Sequence, residues 1–256
     1  MIFRSAFVLS KRRIYETFIS PGFYFLLSIS FFIAYALLQG FLGTIDSSGL
    51  NFSLNPLYNF INGILEGAFG SSVVDKIFSE GPYIFILYVS FIPLIIFFSV
   101  SSVLKFGVEK SAGAVELYAY GPADGSSYFL ASLIKDAFFT LLSLILLTAF
   151  LAVSAGVNNL LLGGMFFRSL IILFTICISI YAYGILMSVL IDNPSGALAL
   201  FLGINIFFAL ILVGSFSIIS EYVQTLSSTL AWILQWISPY FYWNLSLGAF
   251  RAGQPA

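Results

Sequence analysis

The charged residues of this 256-residue chain concentrate in one stretch, from Lys105 to Asp136, called here the polar island. It holds seven of the chain's 21 acidic and basic residues, and long runs without any charge flank it. Such a segment does not cross hydrocarbon, because unpaired charges and open backbone are expensive there. We therefore expect the polar island to lie in water or at a membrane surface, where it would bind a soluble partner.

The motifs of ATP hydrolysis and of common hydrolases are absent from the sequence. None of the five lysines follows a glycine, so there is no phosphate-binding loop for ATP. GxSxG and HExxH are also missing. The chain has no histidine, so zinc sites and histidine-based catalysis are poorly supported, and its single cysteine, Cys177, excludes an internal disulfide. We expect no catalytic, cofactor-binding or metal-binding residues in this chain.

The composition indicates an integral membrane protein. Hydrophobic residues make up 60% of the chain and charged residues 8%, whereas soluble domains carry about 25% charge. No run of basic residues indicates nucleic-acid binding. We expect an all-α polytopic chain with one membrane domain over residues 1–256. A spanning helix needs about 20 apolar residues, and the charge-free windows predict five spans, at 22–43, 83–104, 137–156, 168–191 and 196–219.

Segments near both ends are predicted to lie along the membrane surface. In residues 1–20, four apolar side chains recur at helical spacing, which indicates an amphipathic interfacial helix: Phe3, Phe7, Ile14 and Phe18. A solvated basic N-terminus is the alternative interpretation. Residues 221–250 mix polar residues with tryptophan and tyrosine, which favours an external interfacial or re-entrant helix.

The distribution of lysine and arginine predicts the orientation. With the N-terminus in the cytoplasm, seven basic residues lie inside and three lie outside. The polar island would then be cytoplasmic and residues 41–82 external. Asp136 and Arg168 lie only at the ends of predicted spans, as do Asp192 and Glu221, so each is expected to be a helix-end or snorkelling charge.

The polar island is predicted to form a helix–turn–helix elbow, 105–136. Residues 106–118 continue the helix of the second span into the cytoplasm, and Gly121 with Pro122 breaks it. A second helix is expected to start near Ser126 or Ser127, one of which would serve as its N-cap, and to run into the third span.

This elbow resembles that of the ABC-2 type transporter permeases. The family pattern after the second span is roughly E-K-x-x-G-T-x-E-L followed by a proline. Here it reads Glu109-Lys110-Ser-Ala-Gly113-Ala-Val-Glu116-Leu117, then Pro122, with Ala114 in place of the family threonine.

Three other stretches are similar to family patterns in the same order. They are FRSAFVLSKRRIYETFISPGFYFLL at the start, YGILMSVLIDNPSGAL after the fourth span, and Ser238-Pro239. The resemblance covers nearly the whole chain and is closest to the gliding-motility and copper-site-maturation type of permease. That family usually has six spans, whereas five are predicted here.

The resemblance implies a permease subunit in the bacterial cytoplasmic (inner) membrane. It implies two copies of a separate ABC ATPase, which would hold ATP and magnesium, and a second permease subunit, identical or different. Membrane lipid and an extracytoplasmic protein are further expected partners. The residues implied to contact the ATPase are Glu109, Gly113, Glu116, Leu117, Pro122 and Ser126, with an ordinary solvated loop as the alternative.

Three functions remain open from the sequence. The first is export or extraction of a hydrophobic, peptide or lipid substrate through a path formed by this chain. The second is a membrane anchor that transmits ATP-driven motion to an extracytoplasmic partner without transport. The third is a secondary transporter or channel, against which the lack of charges inside the predicted spans argues.

Overall fold

The part of the chain that the structure describes is almost entirely helical. The computed structural model describes residues 2–46, 49–50, 54–69, 74, 78, 82–113, 125–158, 162–216, 237–238 and 240. In these ranges the helices are α1 Ile2–Ile19, α2 Pro21–Leu42, α3 Pro56–Phe69, α4 Pro82–Ser111, α5 Gly125–Val157, α6 Gly164–Leu190 and α7 Pro194–Phe216. Two antiparallel two-residue strands, β1 Ile45–Asp46 and β2 Gly49–Leu50, follow α2.

Four of the helices are long and apolar enough to cross a membrane. They are α2, α4, α5 and α6, with 22, 30, 33 and 27 residues. Each overlaps one of the predicted spans, so the expectation of an all-α chain built on membrane-length apolar helices is confirmed. Prolines stand at the first position of α2, α3, α4 and α7, where a missing backbone N–H is harmless.

One aromatic cluster joins the four long helices. Phe23 of α2 lies 4.9 Å from Phe139 of α5 and 6.0 Å from Phe98 of α4, measured between ring centroids. Phe98 in turn lies 6.2 Å from Tyr181 of α6 in an edge-on arrangement. All four rings are buried. Such ring pairs stabilise packing beyond their area alone, so this layer fixes how the four helices meet.

The aromatic cluster also marks where α4 and α5 extend past α2. Phe23 is only three residues into α2, yet its ring neighbours lie well inside α4 and α5. The segments 99–111 and 125–138 therefore continue beyond the start of α2, for about 20 Å at 1.5 Å per residue. We call these segments, together with α1 and the turn between α6 and α7, the polar end of the bundle.

Helix α1 lies alongside the first half of α5. Ser5 Oγ is 3.4 Å from Ser127 Oγ, and the Phe18 ring is 6.1 Å from that of Phe138. The helix predicted in residues 1–20 is confirmed, but the residues that it buries most deeply against the protein are either small or polar: Ala6, Ser10, Arg13 and Thr17. The predicted apolar position Phe7 is 67% exposed.

The elbow begins earlier than the sequence predicts. Helix α4 ends at Ser111, so the expected continuation to residue 118 is wrong. Gly113 has a φ of 71°, in the left-handed region where glycine is favoured, and its N–H donates to the Lys110 carbonyl at 3.0 Å. Helix α5 starts at Gly125, so Ser126 and Ser127 lie inside its first turn and the prediction that one of them is the N-cap is wrong.

Candidate functional site: the polar end of the helix bundle

An ion pair joins α1 to α4 at the polar end. Arg13 Nη2 donates to Glu109 Oε2 at 2.7 Å, and the Arg13 side chain is only 11% exposed. The guanidinium carbon also lies 4.1 Å from the ring centroid of Tyr128 at the start of α5. Cation–π and charge-assisted contacts strengthen when partly desolvated. One arginine therefore connects α1, α4 and α5.

A second ion pair joins the last turn of α4 to the turn between α6 and α7. Lys110 Nζ lies 2.7 Å from Asp192 Oδ1 and donates to the Val189 carbonyl, also at 2.7 Å. The hydrogen bond and the charge of Lys110 lower the pKa of Asp192 below its ordinary value. Asp192 is almost fully exposed, so this contact positions the chain more than it stabilises it.

Direct backbone packing supports the same junction. A Cβ placed on Gly107 would lie 3.0 Å from the Cα and Cβ atoms of Pro194, at the start of α7. Ser188 Oγ, near the end of α6, donates to the Val103 carbonyl at 2.9 Å. Helix α4 thus touches both α6 and α7 close to the elbow, so a shift of its end must move them or open these contacts.

Two adjacent opposite charges are buried within the same end. Lys135 Nζ lies 2.8 Å from Asp136 Oδ1, and the two side chains are 2% and 0% exposed. Ser102 Oγ of α4 donates to Asp136 Oδ2. Among the residues that the structure describes, none makes a hydrogen bond to Asp136 Oδ1, so Lys135 and Asp136 form an ion pair by distance alone. We call Lys135 and Asp136 the buried pair.

The buried pair corrects the sequence analysis. The sequence predicts that Lys135 and Asp136 lie in a water-exposed island, whereas the structure encloses both within protein. They stand ten residues inside α5, where α1 covers one side and α4 the other. The sequence does contain a signal for this burial. Lys135 and Asp136 are adjacent residues of opposite charge between apolar stretches, so each can offset the charge of the other inside the protein.

Polar contacts continue along α5 one turn beyond the buried pair. Thr140 Oγ1 and Tyr181 OH of α6 are 3.0 Å apart, and both side chains are fully buried. Ser132 and Ser143 are buried at the same helical spacing. Helix α5 therefore carries a polar stripe into the protein interior, facing α4 and α6.

The residues predicted to contact an ATPase divide into described and undescribed ones. Glu109 lies in the last turn of α4, Gly113 follows that helix by two residues, and Ser126 is exposed at the start of α5. Glu109 is 35% exposed and is already paired with Arg13. The remaining three lie outside the described residues: Glu116, Leu117 and Pro122. Sequence reasoning missed Arg13 because it stands in a basic run that resembles an ordinary cytoplasmic flank.

Among the residues that the structure describes, no group of three or more metal-ligating side chains comes together. Comparison of the chain with protein families, with curated proteins and with solved structures finds no match.

Proposed function

We propose that the chain is the permease subunit of an ABC transporter, coupled to a separate ATP-hydrolysing subunit. The observation that carries the proposal is the connected polar end. Helix α4, which leads into the elbow motif, is tied by Arg13–Glu109 to α1 and by Lys110–Asp192 to the turn before α7. An ATPase that grips the segment between α4 and α5 would therefore act on several helices together.

The proposal includes five spans and a defined orientation. Helix α7, with 23 residues, would be the fifth span, the N-terminus and residues 105–136 would be cytoplasmic, and residues 41–82 would be external. The coupling segment would be the elbow at 105–136. Labelling of Asp124→Cys in a Cys177→Ser background from outside the cell would contradict this orientation.

Charge reversal at Glu116 tests the coupling directly. We expect Glu116→Lys to leave the abundance of the membrane subunit unchanged and to reduce co-purification of its ATPase at least about tenfold. The reason is that a like-charge clash at an interface costs several kcal/mol, and each 1.4 kcal/mol is about tenfold.

A matched control is Glu66→Lys, which makes the same charge change at an exposed site on α3. We expect it to leave ATPase association unchanged. Unchanged association in Glu116→Lys would contradict the contact assignment, and a collapse in its abundance would identify Glu116 as a buried structural residue.

The transported material is proposed to be a hydrophobic, peptide or lipid substrate. The alternative is that the chain anchors an extracytoplasmic partner and transmits ATP-driven motion to it. Purified complex in sealed vesicles separates the two, because only a transporter produces ATP-dependent flux across the bilayer. An anchor would instead change its binding to the external partner during ATP turnover.

A second candidate, an ion-coupled secondary transporter, is favoured by the buried pair. Under this candidate Lys135 and Asp136, which are enclosed among α1, α4 and α5, would lie within the membrane and not in a cytoplasmic elbow. Ionisable residues within a membrane bundle frequently mark ion or proton pathways. An ion gradient alone would then drive flux through the purified chain. Flux that requires the ATPase and survives dissipation of the gradient would exclude this candidate.

A further inference from the structure

The face of α1 that points away from α5 carries basic and apolar side chains together. Arg4 and Lys11 are exposed there. Large apolar side chains lie around them and are between 64% and 68% exposed: Phe7, Val8, Tyr15 and Ile19. A face of this kind in water would leave much apolar surface unburied, so it is suited to a surface that is both anionic and apolar.

The two basic residues are placed to act together. Arg4 and Lys11 are seven residues apart, which puts them on the same side of the helix two turns from each other. Neither has an ion pair with another residue that the structure describes. Arg12 differs, because its Nε lies 3.1 Å from Glu16 Oε1 and its charge is offset within the helix.

The rest of the fold holds this face in place. The opposite side of α1 is buried, and Arg13 fixes it to Glu109, so the helix cannot turn its cations elsewhere. Ser20 alone separates α1 from α2, which begins at Pro21 and is apolar enough to span a membrane. Helix α1 is therefore tethered where an apolar span begins.

We propose that this outward face of α1 binds the headgroups of anionic phospholipids. Tyr15 and Ile19, which lie nearest to α2, would enter the boundary between headgroups and acyl chains, where tyrosine also favours its position, while Lys11 and Arg4, farther along the helix from that boundary, would contact lipid phosphates. An acidic protein would match the charges but would leave the interleaved apolar residues without a partner. The inference does not depend on the ABC transporter proposal.

Native mass spectrometry of the full chain in detergent tests the inference, with phosphatidylglycerol and phosphatidylcholine as the probes. We expect the wild type to bind phosphatidylglycerol in preference to phosphatidylcholine, and we expect Arg4→Ala/Lys11→Ala to reduce that preference about tenfold. This size is expected because each basic residue near an anionic membrane surface strengthens binding several-fold.

The control is Arg12→Ala/Arg168→Ala, which removes the same number of positive charges at exposed positions outside the proposed pair. We expect this control to reduce the preference for phosphatidylglycerol by less than about threefold. The exchange Arg4→Lys/Lys11→Arg keeps the charges and should keep the preference, which excludes misfolding as the cause. Equal losses in the test and control variants, or no preference in the wild type, would overturn the inference.

Discussion

The two ends of the helix bundle are held together by different physical means. At the polar end, ion pairs connect α1, α4 and the turn before α7, and the buried pair lies beneath them. At the opposite end, called here the far end, α3 packs against the last turns of α2. Tyr58 of α3 is fully buried there, its hydroxyl donates to the Leu37 carbonyl at 3.0 Å, and its ring lies 5.6 Å from that of Phe78. There the described residues pack through aromatic rings.

The difference indicates which end is able to respond to its surroundings. Ion pairs with partial exposure weaken with salt, with pH and with the charge of a bound partner. Aromatic packing depends on area and shape, and changes little under the same conditions. A protein driven from one side gains by having a responsive end where the partner binds and a fixed end opposite it. Four predictions test this contrast.

The largest expected effect comes from breaking the buried pair. Lys135→Met leaves Asp136 as an unpaired buried charge, which should lower the free energy of unfolding by about 3–5 kcal/mol. The double variant Lys135→Met/Asp136→Leu removes both charges and should recover most of the loss. Steric trapping in micelles measures both. Equal losses in the single and double variants would show that packing, and not charge, dominates here.

At the far end, Tyr58→Leu should lower the free energy of unfolding by about 2–3 kcal/mol, because it removes ring contacts and leaves space in a buried site. The loss should be the same at low and high salt, since no charge is involved. The same unfolding measurement at about 0.1 M and 1 M salt, a range over which the Debye length falls severalfold, checks this. A marked salt dependence would contradict the contrast between the ends.

Glu109→Gln at the polar end should have a smaller effect, about 1 kcal/mol, because the pair with Arg13 is partly exposed. In contrast to Tyr58→Leu, its effect should shrink as salt is added. Thermal unfolding of the detergent-purified protein across a salt series measures this. The charge-preserving Glu109→Asp provides the control, and equal salt responses for Glu109→Gln and Tyr58→Leu would remove the distinction.

The smallest effect is expected from Asp192→Asn. Lys110 lowers the pKa of Asp192 in the folded protein, so the carboxylate contributes stability above its unfolded pKa, about 3.9. That contribution is lost as pH falls through the lower folded pKa. The difference between wild type and Asp192→Asn should therefore be present near neutral pH and vanish in acid. A difference that grows on acidification would contradict the assignment.

The sequence predicts the helices better than it predicts their faces. Long charge-free windows are a strong signal, so α2, α4, α5 and α6 are found where the spans are expected. The end of α4 is misjudged because Gly113 stops the helix through a backbone conformation, whereas residues 114–118 carry no helix breaker of their own.

The burial of charge is harder to predict. The sequence alone treats Lys135 and Asp136 as marks of an aqueous segment, because a charge is usually solvated. Their burial depends on α1 and α4, which approach α5 from 34 or more positions away in the chain. Arg13 illustrates the same limit, since its partner Glu109 is 96 residues distant.

The sequence adjacency of Lys135 and Asp136 also has a consequence for biogenesis. A buried charge that needs a distant partner stays uncompensated during synthesis until the helix that carries the partner has docked. Here the two opposite charges emerge from the ribosome one after the other. Helix α5 therefore carries the counter-ion of its own buried charge before α1 and α4 close over it, so neither charge depends on a later helix for compensation.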